Sequence, residues 1–182
     1  MVSRPTISLP LFGHPVDELW HVLLDLAETL RAPWTLVGGQ MVLDILAPEG
    51  LGARANLTTT KPGHTLEVPG GTQALDRTEL VVVEYEGRTA AVPRPSLLAA
   101  LIIKGAASGL PGDQSRHLRD LALLCALVED PFSMREGLTK KDRSRLRMAG
   151  ALGSSAHPAW HLVPADVREQ GQVAFSVLAS DG

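Results

Sequence analysis

The sequence predicts an α+β fold, with a mixed β-sheet in the N-terminal half and a helical portion in the C-terminal half. Three observations predict it. Short apolar runs bounded by Gly and Pro fall at Trp34–Val37, Thr65–Val68, Leu80–Glu84 and Arg88–Val92, the form of strands. From Ser96 onward, apolar residues recur at helical spacing instead. The strands come first and the helices after, where a βαβ repeat would alternate them. The chain has 182 residues, 45% of them apolar, enough for one ordinary core. The expectation is a single domain over 1–182, with a sheet region over 16–92 and a helical region over 93–182.

The elements follow in order. Between Val16 and Arg31, Val16, Leu19, Trp20, Leu23, Leu24, Leu26, Ala27 and Leu30 recur at helical spacing, with Asp17, Glu18, Asp25 and Glu28 between them. This predicts an amphipathic helix stopped by Pro33. Trp34-Thr35-Leu36-Val37 then reads as a buried strand running into Gly38-Gly39, where a second helix could open. Residues Gln40 to Ala47 suit either a helix or a strand, so the setting of Asp44 stays open. Gly50 to Gly63, rich in Gly, Thr, Asn and Pro, reads as an extended surface loop. Leu80–Glu84 and Arg88–Val92, joined by Tyr85-Glu86-Gly87, predict an antiparallel hairpin. Helices are expected over Ser96–Ser108, Asp113–Glu129, Lys140–Leu152 and Ala165–Leu178.

Composition excludes several function classes. Seventeen Lys and Arg against 20 Asp and Glu give a net charge of −3, so the whole chain has no attraction to nucleic acid or an anionic membrane. Cys125 is the single cysteine, which rules out an intrachain disulfide and a thiolate zinc cluster. The longest apolar runs fall far short of a bilayer span and the first residues lack a signal-peptide pattern, so the expectation is a cytoplasmic protein without a membrane partner. Serine-hydrolase, Walker-type and zincin motifs are lacking.

A few residues carry chemistry by type and setting. A strand that ends in Gly38-Gly39 and opens a helix lets backbone N–H groups approach a phosphate, although a glycine pair also serves as a plain tight turn. Lys104 is the lone cation among Leu97 to Ala107. It must snorkel, pair with a carboxylate, or bind an anion. Asp120, at the border of the apolar run Leu121–Val128, is a candidate partner on the next helix. Arg135, Lys140, Lys141, Arg143, Arg145 and Arg147 form a basic segment that could contact RNA phosphates or simply face solvent. His157 and His161 read as structural or exposed.

Trp34-Thr35-Leu36-Val37-Gly38-Gly39-Gln40-Met41-Val42, Lys104 on one helix, and Arg116-x-x-Arg119-Asp120-Leu121 on the next together resemble the AbiEii-like minimal nucleotidyltransferases. Leu46–Thr60 and Leu66–Leu75 are similar to actinobacterial members of that toxin group. The resemblance covers residues 16 to 152 with an interruption. It implies a nucleotidyltransferase-like sheet and transfer of a nucleotide from an NTP to RNA or protein. Gly38 and Gly39 would face the phosphates, Lys104 would neutralise them, and Asp120 would position Lys104. It implies magnesium and NTP as cofactors, since two metals clamp a triphosphate and hard cations want clustered oxygen ligands. In the family an Asp-x-Asp on the strand after the Gly pair supplies those ligands, and a third carboxylate sits on a later strand. Asp44 looks like that third carboxylate and would be a metal ligand, but no Asp-x-Asp occurs downstream of Gly39. The expectation is therefore an impaired or inactive nucleotidyltransferase. The alternative is a non-catalytic nucleotide- or RNA-binding or protein-interaction module, with an antitoxin or a homodimer as further partners.

Overall fold

The computed structural model describes residues 6–31, 34–37, 44–46 and 75–180. The chain is mixed α and β, and its contacts divide it into two compact units. Of the described residues, one comprises those up to 96 and the other those from 97 onward. The division at Ser96 falls close to the expected change from sheet to helix.

In the first unit, β1 (Ile7–Ser8) precedes α1 (Val16–Thr29), β2 (Thr35–Val37), β3 (Asp44–Leu46), β4 (Thr78–Tyr85) and β5 (Arg88–Pro95). β4 and β5 form the expected hairpin, in register from Thr78↔Pro95 to Tyr85↔Arg88. Its turn places Glu86 at φ 48 and Gly87 at φ 74, the left-handed pair that matches the twist of a two-residue hairpin and that glycine adopts without steric cost. β1 pairs parallel with the end of β4, and β2 pairs antiparallel with β3. Strand alternation turns Val81, Val83 and Tyr85 inward on β4. Against them α1 buries Leu23 and Leu24, and Trp34 and Val92 complete the packing. Asp44 opens β3 opposite Val37, which resolves the helix-or-strand ambiguity of that residue in favour of a strand.

The second unit is helical: α2 (Leu97–Ala107), α3 (Ser115–Cys125), α4 (Pro131–Glu136), α5 (Lys140–Arg147) and α6 (Ala165–Ala179), with 3-10 turns at Gly150–Gly153 and Pro158–Leu162. α2 is apolar almost all round and accordingly buries Leu101, Ile102, Ile103, Ala106 and Ala107. Its Gly105 sits so close to α5 that an added Cβ would lie 2.9 Å from the Arg145 carbonyl oxygen and from Leu146 Cα. Trp160, fully buried, anchors the core and donates its indole N–H to the Leu152 carbonyl at 3.1 Å. Asp130 caps α4 through the N–H groups of Phe132 and Ser133, with Pro131 in the first turn. Thr139 and Asp142 form a capping box on α5; each such cap stabilises by about 1 kcal/mol.

Two expectations shift. The helix expected over Asp113–Glu129 is shorter, ending at Cys125, and Lys140–Leu152 divides into α5 and a 3-10 turn. α4 and the turn at Pro158 went unpredicted because each is too short to show a period. The expected helix after Gly38, the loop over Gly50–Gly63 and the strand Thr65–Val68 lie outside the described residues.

Candidate functional site

The geometry centres on α2 and α3. Lys104 Nζ lies 2.6 Å from Asp120 Oδ2, with the two side chains 19% and 35% exposed. Of the three settings open to a cation on an apolar helix, the structure selects pairing with a carboxylate. The pair is half-buried, so water screens it only in part. One of the three ammonium N–H donors is taken by Asp120. A lysine held in this way cannot retract along the apolar helix, and its charge is presented at a fixed point.

His117, one turn before Asp120 on α3, joins the pair. Its Nδ1 is buried and has no hydrogen-bond partner among the described residues. Burial, and then the nearby Lys104 charge, hold its pKa below the ordinary histidine value, against the opposing pull of Asp120. The imidazole is thereby biased toward its neutral form beside the ammonium. The i, i+3 spacing from Asp120 on a helix is the signal that would have found it.

Gly38 and Gly39 lie outside the described residues. Asp44 is placed by backbone only, in the first unit, whereas Lys104 and Asp120 belong to the second. Among the described residues no group of three or more His, Cys, Asp or Glu side chains is placed to hold a metal ion. With Asp120 offsetting its charge, what Lys104 still offers chemically is two N–H donors at a fixed point.

The basic segment is narrower than its sequence suggests. Arg145 is buried beside Asp142 at 3.8 Å. Arg143 donates to the Leu138 carbonyl at 3.0 Å and Arg135 to the Ser180 carbonyl at 3.3 Å. Lys140, Lys141 and Arg147 are the exposed members. Four apart in sequence, His157 and His161 do different things: His157 Nδ1 accepts the Ala159 N–H at 3.2 Å and caps a 3-10 turn, while His161 is exposed.

A second polar cluster, in the first unit, was missed altogether. The Tyr85 hydroxyl donates to Asp17 Oδ1, which also accepts the Phe12 N–H at 2.9 Å. His21, one turn after Asp17, pairs with Glu86 at 2.8 Å and stands edge-on to the Tyr85 ring at 5.5 Å. The Tyr85 hydrogen bond is the first cause of a lowered Asp17 pKa; burial, then Asp17, pushes the phenol up to about 12. Further along α1, Arg88 bridges Asp25 and Glu28 at 2.8 and 3.1 Å. The arrangement fastens α1 to the hairpin.

Among the described residues no helix is long and apolar enough to cross a membrane. No protein-family model, curated protein or solved structure matches the chain.

Proposed function

We propose that this chain is a nucleotidyltransferase-like protein of the AbiEii-like type that holds the phosphates of a nucleoside triphosphate with Lys104 and is impaired in transfer. The observation that carries the reading is the 2.6 Å contact between Lys104 and Asp120, because it holds the ammonium in place while leaving two of its three N–H donors for a phosphate. The strand setting of Asp44 agrees with the resemblance, in which the third carboxylate sits on a strand. Lys140, Lys141 and Arg147, exposed on and beside the solvent side of α5, suit an RNA acceptor. The sequence holds no Asp-x-Asp after Gly39, and this favours binding over turnover, which brings the reading close to a non-catalytic nucleotide-binding module.

The test is magnesium-dependent nucleotide binding by calorimetry with wild type, Lys104→Ala and Asp120→Asn, run beside transfer of radiolabelled NTP to total RNA. Binding that weakens at least tenfold in Lys104→Ala, without transfer, supports the proposal. Efficient transfer by the wild type would show that the argument from missing carboxylates is wrong, and binding indifferent to Lys104 would remove the phosphate role.

A further inference from the structure

In the second unit, the start of α3 and the 3-10 turn Pro158–Leu162 enclose a half-open groove of about 460 Å³, within the size range of small-ligand sites. Its floor is apolar. Leu118 and Ala159 are fixed in the helical core, while Leu162 is 56% exposed beside them. Among the described residues, the polar groups of the lining are Ser115, Arg119 and His157, and none is a carboxylate.

Among the described residues, Arg119 supplies the one permanent positive charge of the groove. Its Nε donates to the Ser115 carbonyl one turn back at 3.3 Å, and among the described residues it joins no ion pair. Asp113 is close enough to feel Arg119, but its carboxylate accepts the Ser115 backbone N–H at 2.9 Å. Across the groove, His157 Nδ1 is occupied as an acceptor of the Ala159 N–H. The proton of the neutral ring therefore sits on Nε2, which makes His157 a second donor.

We propose that this groove binds a small aromatic carboxylate, with the carboxylate on Arg119 and His157 and the ring over Leu118 and Leu162. The planar guanidinium matches a carboxylate better than a point charge would, and one permanent charge balances a monoanion rather than a phosphate dianion. The apolar floor requires a body as well as a charge, because a hydrated anion alone would leave Leu162 uncovered. The site shares α3 with Asp120 but does not depend on nucleotide binding.

The full chain is titrated calorimetrically with 2-naphthoate, acetate and inorganic phosphate, each separately. Saturable binding of 2-naphthoate is expected, with acetate and phosphate at least tenfold weaker. Arg119→Gln and Leu162→Asp should each weaken 2-naphthoate at least tenfold with unchanged circular dichroism, and Arg116→Gln, exposed on the same helix outside the groove, should not. No saturable binding, equal affinity for acetate or phosphate, or indifference to Arg119→Gln would overturn the proposal. Failure of nucleotide binding at Lys104 would leave it standing.

Discussion

Removing Lys104 and Asp120 singly and together measures how firmly the candidate cation is held. Unit charges 2.6 Å apart attract by about 6 kcal/mol at an effective dielectric near 20. Most of that is offset by lost hydration of both groups. Because the side chains are 19% and 35% exposed, solvent screening discounts the remainder further. The net coupling should lie between that of an exposed pair, about 0.2–1 kcal/mol, and that of a hydrogen bond to a charged group, about 1.5–3 kcal/mol. We expect about 1–2 kcal/mol from the cycle of Lys104→Ala, Asp120→Ala and the double variant. The assay is urea unfolding followed at 222 nm, a signal the helical second unit dominates. Each single variant should cost more than the coupling, since it strands a half-buried charge. A coupling under about 0.5 kcal/mol would mean that Asp120 does not hold the ammonium, and the phosphate argument would lose its basis.

Tyr85 is the single tyrosine, so tyrosinate absorbance near 295 nm reads it alone; its midpoint should be about 12 and should fall in Asp17→Asn. Since the folded value is raised, the stability contributed by the protonated phenol is complete below pH 10 and is lost as pH rises toward 12, which alkaline melts should show. His117 has the opposite sign. Its folded pKa is lowered, so its contribution is present above the unfolded value of 6.5 and is lost as pH falls below it; His117→Gln should flatten the change in Tm between pH 7 and 5. Gly105→Ala should destabilise by up to about 2 kcal/mol, because overpacking of about 1–3 kcal/mol is only partly offset by a helix-propensity gain of about 1 kcal/mol. Gly150→Ala, where nothing lies within 4 Å of the new Cβ, should stay within about 0.5 kcal/mol of wild type in the same melts.

The sequence by itself determined the elements whose pattern is local. α1, the β4–β5 hairpin, α2 and α6 are all legible, because helical or alternate spacing of apolar residues records which face meets a core. Lys104 was also legible as a problem: a cation on an apolar helix must find a partner, and three outcomes were open. Only the tertiary structure chose among them, since a contact between residues 104 and 120 depends on how two helices pack and not on either helix's period. The same limit hid His117 beside that pair, the Asp17–Tyr85 and His21–Glu86 contacts, whose partners are more than 60 residues apart, and the burial of Arg145 within a segment that reads as uniformly basic. It also decided Asp44: residues 40–47 fit a helix and a strand equally well, and pairing with Val37 on β2 settled the matter through backbone hydrogen bonds that no local spacing encodes.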